Sequence, residues 1–99
     1  LVLLDDDSFV FVGNLLNLLA QHDYRRPLLL GELKPGGSYA CGGAGTVLSR
    51  AAAMRMSVPR CIANFRRRCM QSDWMLADCA RSWGVRFEGS HGCGSCSVR

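Results

Sequence analysis

The sequence predicts an α/β fold in which short apolar strands alternate with amphipathic helices, and three observations predict it. Leu1-Val2-Leu3-Leu4 and Leu28-Leu29-Leu30 are apolar runs of strand length, one closed by acidic residues and the other by Gly31. Between them Val12, Leu15, Leu16, Leu18 and Leu19 recur at helical spacing. Near the C-terminal end a second helical pattern stops at Gly84, and Val85-Arg86-Phe87 follows as a short strand.

Taken in order, Leu1 to Leu4 fits a buried strand, which puts Asp5-Asp6-Asp7 at its C-terminal edge. Open α/β sheets place ligands at that edge, because the loops there are free of the packing core. Ser8 is the expected cap of the helix that follows, which ends near His22-Asp23 before the basic turn Arg25-Arg26-Pro27. The three leucines 28–30 form a short buried strand, and Lys34-Pro35-Gly36-Gly37 is a turn. Ser38-Tyr39-Ala40-Cys41 reads as a further strand leading into Gly42-Gly43-Ala44-Gly45, after which Thr46-Val47-Leu48 continues the apolar element. Ser49 caps an Ala-rich helix over 50–56, and Pro59 opens a new segment carrying Cys61 and the run Arg66-Arg67-Arg68. Ser72 caps the next helix, which places Leu76, Cys79, Ala80 and Trp83 on one face. No internal repeat or interdomain linker is visible. The organisation read is one unit over residues 1–91 and a Cys/Gly/Ser-rich tail over 92–99.

Ninety-nine residues suffice for one small domain, and a hydrophobic fraction of 48% argues against wholesale disorder. Opening directly on a core-like strand leads to the expectation that residues preceding Leu1 have been lost. The leading apolar run is far too short for a signal peptide or a membrane span, so any anchor lies outside these residues. The formal charge is +4, and eleven of the twelve basic residues are Arg. A nucleic-acid reading of Arg66-Arg67-Arg68 has to be weighed, since a basic cluster neutralises phosphates. The run is short and lacks interleaved aromatics or zinc-finger spacing, so a solvated helix face or loop is the expected use. Six cysteines suit a secretory compartment where disulfides persist. Cys93-Gly94-Ser95-Cys96 has redox-motif spacing but no following helix and no second pair, and is read as an incidental tail pair.

Asp5, Asp6 and Asp7 carry the sharpest chemical signal. Three adjacent carboxylates repel one another, and the apolar flanks are expected to leave them only partly solvated. A hard divalent cation relieves that repulsion and is commonly shared with substrate phosphates. Gly42, Gly43 and Gly45 give flexible backbone that a ligand can approach closely, although neither a Walker A loop nor a dinucleotide fingerprint is present, and a tight turn is an equal reading. Asp73 falls in the first turn of a helix, where the macrodipole favours a negative charge. Taken alone, its stretch is better explained by helix-end charge complementation than by a catalytic role. His91 is a possible ligand for a borderline metal or an exposed tail histidine, and His22 is expected to be structural or solvent-facing.

The elements Leu-Val-Leu-Leu-Asp-Asp-Asp-Ser-Phe-Val, Cys-Gly-Gly-Ala-Gly-Thr-Val-Leu-Ser-Arg and Ser-Asp-Trp-Met-Leu-Ala-Asp-Cys, followed by a late His, occur in that order. Together they resemble the fringe-like and β-1,3-galactosyltransferase superfamily, most closely its fringe-related members in plants, over roughly residues 1–91. The resemblance implies a GT-A-type glycosyltransferase fold, here an incomplete domain lacking its N-terminal nucleotide-binding half. It implies a Golgi or other secretory-lumen location, a type II membrane anchor outside this chain, and inversion at the transferred sugar. By position, Asp7 and His91 would ligate Mn²⁺, Asp5 and Asp6 would lie by the ribose and donor sugar, and Gly42 to Gly45 would line the donor and acceptor cleft. Asp73 matches the catalytic base, and Cys61 and Cys79 occupy positions resembling a family disulfide. Trp74 departs from the pattern, since some relatives carry a second Asp there. Ser90 replaces the usual aromatic, and Cys69, Cys93 and Cys96 match nothing in it.

The function expected from this set is metal-dependent, inverting transfer of a hexose or N-acetylhexosamine from a UDP-sugar to a glycan hydroxyl, in β-1,3 linkage. A non-catalytic secretory binding or structural module is the alternative. A nucleic-acid-binding basic fragment is the weaker one, and no nucleic acid partner is expected.

Overall fold

The computed structural model describes residues 1–34, 39–40, 45–65 and 72–89. The elements run β1 (Val2–Leu3), α1 (Val12–Ala20), β2 (Leu28–Gly31), β3 (Thr46–Leu48), α2 (Arg50–Arg55), α3 (Val58–Phe65), α4 (Ser72–Ser82) and β4 (Arg86–Gly89). The strands form one mixed sheet in the order β1-β3-β2-β4, with β3 antiparallel to both β1 and β2 and with β2 parallel to β4. The expected α/β class is therefore observed.

Side chains alternate across a strand, and this alternation gives the sheet two cores. Leu29 and Leu48 face Ala52 of α2 and Ala80 of α4, with Val85 closing the cluster. Leu28, Leu30 and Val47 face Leu18 of α1 on the other side. All four β2 residues are buried, as a strand paired on both edges and covered on both faces must be. Gly31 is required there. A Cβ at this position would lie 2.7 Å from the Cβ of Ala40, which the Leu33–Ala40 bridge holds alongside.

Helix termini follow the sequence signals closely at two places. Ser49 Oγ accepts from Ala52 N at 3.1 Å and so caps α2. The same oxygen accepts from Leu28 N at 2.9 Å and donates to Arg26 O at 2.6 Å. One hydroxyl thus ties the start of α2 to the start of β2, with its donor and both lone pairs used. At the end of α4, Gly84 has φ +71°, Gly84 N donates to Arg81 O and Val85 N donates to Ala80 O. This is a Schellman closure, and it sends the chain directly into β4.

Four expectations need correction. Leu1 to Leu4 is not a buried strand: among the described residues β1 lies at the sheet edge, and Leu1, Leu3 and Leu4 are exposed. Ser8 does not cap α1. Phe11 occupies that position without a side-chain cap, while Ser8 Oγ accepts from Asp5 N at 3.2 Å. The apolar face of α1 is only partly used, since Leu18 is buried but Val12, Leu16 and Leu19 are exposed. The strand expected at 38–41 is, among the described residues, a single bridge at Ala40. Residues 35–38, 41–44, 66–71 and 90–99, including the arginine run and the tail, lie outside the described part. Among the described residues no helix is long and apolar enough to cross a membrane.

Ser49→Ala is expected to destabilise the protein by about 2 to 3 kcal/mol, because it removes the cap of α2 and leaves the Leu28 N–H without its acceptor. Denaturant unfolding measures this; a loss below about 0.5 kcal/mol, the scale of ordinary surface substitutions, would contradict the linchpin reading.

Candidate active-site cleft

The sheet directions gather the site at one end. Strands β1, β2 and β4 run the same way and β3 runs against them, so the row Leu3, Thr46, Gly31 and Gly89 crosses the sheet at the C-terminal ends of the first three. Asp5 leaves β1 at this end, and Gly45 enters β3 beside it. Ser8 N donates to Asp5 O at 3.1 Å, closing a turn in which Asp6 and Asp7 occupy the two central positions. All three carboxylates are exposed. The expectation of partial desolvation is therefore corrected: the strand before them is a short edge strand and buries neither itself nor the turn.

On the α4 side of the sheet a cleft of about 300 Å³ opens between β1, α3 and α4. Its walls are mainly apolar, contributed by Leu3, Leu4, Val58, Ile62, Met75 and Leu76. The acidic groups along it are Asp5 and Asp73, with Ser72 beside the latter and Thr46 on the strand. Asp73 stands in the first turn of α4, and its Oδ1 accepts from Trp74 N at 2.9 Å. The fold thus brings Asp5 and Asp73 into one concavity. Asp6 and Asp7 are not among the residues lining it.

Gly45 has φ +89°, and a Cβ there would approach Leu4 Cδ2 to 3.0 Å. Both the backbone geometry and the contact with the end of β1 call for glycine, so a local reason for Gly45 exists without a ligand. Gly42, Gly43 and His91 lie outside the described residues.

The turn's donor chemistry suits a hard divalent cation. Carboxylate oxygens on an exposed turn leave room for the waters that such an ion retains. Among the described residues no three His, Cys, Asp or Glu side chains converge on one point.

The helical wall of the cleft is cross-linked. Cys61 of α3 and Cys79 of α4 form a disulfide with Cα atoms 5.5 Å apart, and both residues line the cleft. Cys79 is buried. The sequence predicts no element over Val58–Phe65, yet α3 forms there and supplies Val58 and Ile62 to the cleft. The signal was present: Ser57 Oγ accepts from Arg60 N at 3.4 Å and Pro59 sits in the first turn, where a missing N–H costs nothing. His22, which does not line this cleft, has Nδ1 3.2 Å from Glu88 Oε2.

The family model described as fringe-like matches residues 1–87. A β-1,3-glucosyltransferase of Mus musculus is 39% identical over 95 residues, covering 86% of this chain and 18% of that protein. A β-1,3-glucosyltransferase of Homo sapiens is 38% identical over 79 residues, covering 74% of this chain and 15% of that protein. The chain therefore spans less than a fifth of the length of these relatives.

Replacing both cysteines, as Cys61→Ala with Cys79→Ala, is expected to lower stability by about 3 kcal/mol, the chain-entropy scale for a loop of this size. Denaturant unfolding checks it, and a double variant as stable as the parent would remove the disulfide as a support of the cleft wall.

Proposed function

The chain belongs to the fringe-like family, and on that footing we propose that it carries part of the catalytic site of a metal-dependent, inverting glycosyltransferase with a GT-A-type fold. The donor is a UDP-sugar bearing a hexose or N-acetylhexosamine, the acceptor is a glycan hydroxyl, and the linkage formed is β-1,3. The observation that carries this reading is that Asp5 and Asp73, far apart in sequence, both line one cleft.

In this mechanism Asp73 is the general base. Its carboxylate takes the acceptor hydroxyl's proton as that oxygen bonds to the anomeric carbon, and the bond from that carbon to the diphosphate oxygen breaks on the opposite face. Displacement from the opposite face inverts the anomeric centre, and UDP departs with the bonding electron pair. The first turn of α4 orients the base, with the Trp74 N–H donating to its Oδ1. Asp5 and Asp6 are assigned to the ribose and donor sugar. Apolar walls exclude water from the space between base and donor, which strengthens the electrostatic interactions there. Asp7, with His91, would hold Mn²⁺. A bound Mn²⁺ supplies positive charge beside the departing diphosphate. The Cys61–Cys79 link and the cysteine density fit assembly in an oxidising secretory compartment.

Asp73→Asn is expected to lower kcat for transfer by about a hundredfold or more while leaving UDP affinity within about twofold, since general-base catalysis contributes roughly 10²–10⁴. Turnover near that of the parent would remove Asp73 from the base position.

A further inference from the structure

We propose that the Cys61–Cys79 disulfide is a redox-operated latch on α3. With the bond made, α3 stands as one wall of the cleft. With the bond reduced, α3 swings away on a hinge at Met56-Ser57 while the sheet and α4 stay folded. The walled cleft is then a property of the oxidised protein, whatever reaction or ligand it serves.

A helix in a small domain is ordinarily held by an apolar face buried against its neighbours. Among the described residues α3 lacks such a face. None of the side chains from Val58 to Ala63 is buried, and Val58 and Ile62, which line the cleft, are 66% and 45% exposed. None of them belongs to either core cluster. Eight residues are also too few for a helix to persist without tertiary support. Among the described residues α3 is tied to α4 by the disulfide and by Arg60, whose guanidinium lies 6.0 Å from the centroid of the Trp83 ring. A cation–π contact near the surface is weak. The covalent bond therefore decides whether α3 stays docked.

The elements beside α3 are anchored without it. Met56, just before the hinge, packs against the core cluster, and α4 buries Ala77, Cys79 and Ala80. A reduced Cys79 in that setting behaves as a small apolar side chain, so α4 does not need the partner sulfur to stay packed. Cys61 is only partly buried, which makes its sulfur the one a reductant reaches. A thiolate of a dithiol reductant attacks Cys61 Sγ, the S–S bond breaks, and Cys79 Sγ leaves with the bonding pair and takes up a proton. The second thiol of the reductant then attacks the reductant's own sulfur in the mixed disulfide and releases Cys61 as a thiol. The two cysteines gain two electrons and two protons, and the dithiol ends as a cyclic disulfide.

Backbone NMR tests this on the longest soluble form of the protein that contains these residues, oxidised and then reduced with dithiothreitol. Reduction is expected to move the amides of residues 58–63 to random-coil positions and to lower their order parameters from about 0.85 to below about 0.6. The amides of β2, β4 and residues 77–80 should keep folded shifts, and reoxidation should restore the first spectrum. Cys61→Ala with Cys79→Ala should show the released α3 without reductant and no further change with it, which separates this bond from the other cysteines. An α3 that stays ordered after reduction overturns the latch, and so does an α3 that stays ordered in the double variant. Collapse of the whole spectrum on reduction overturns it as well, by making the bond a support of the entire fold.

Discussion

Strand β2 is the constraint on which the rest of the structure depends. It is four residues long, hydrogen-bonded to β3 on one edge and β4 on the other, and buried on both faces. Leu29 belongs to one core and Leu28 and Leu30 to the other, so a one-residue slip would exchange the two sets. Gly31 fixes the register further, because no side chain fits against Ala40. Each fully buried leucine contributes about 2 kcal/mol of transfer free energy, which makes this short segment dense in stabilisation.

From this strand the cleft follows by connection. Ser49 binds the first residue of β2 and the first turn of α2 through one hydroxyl, which sets where the helical layer begins. The α3–α4 pair is then held by the Cys61–Cys79 disulfide, and α4 runs back onto the sheet through the Gly84 closure into β4. Asp73 is placed at the start of that same helix, and Asp5 at the exit of the edge strand. Both residues line the one cleft, Asp5 at the wall made by β1 and Asp73 at the wall made by α4. Stability and proposed chemistry therefore share supports in this small fold, with the cross-link as the clearest case.

Much of this was legible in the sequence because it is local. Ser49 as a cap, Gly84 as a stop, Leu28-Leu29-Leu30 as a buried strand and α4 as an amphipathic helix each follow from a few adjacent residues. The burial of Leu1 to Leu4 was misread because four apolar residues look alike in a central strand and at an edge, and position in the sheet is a long-range property. Exposure of the Asp turn follows from the same error. Ser8 was misread as a helix cap because serine also closes turns, and here Asp5 N is its donor. Of the candidate site, Asp5 and Asp73 were named from the sequence and fall in one cleft, whereas the apolar walls from α3 emerged only from the fold.

The proposed transferase site is tested most directly by calorimetric titration of UDP, with and without Mn²⁺, into the longest soluble form of the protein that contains these residues, for the parent and for Asp7→Ala. The account predicts binding that requires Mn²⁺ and is lost in Asp7→Ala while the fold is kept. Absence of UDP binding in the folded parent, or Mn²⁺-dependent binding undiminished in Asp7→Ala, would contradict it.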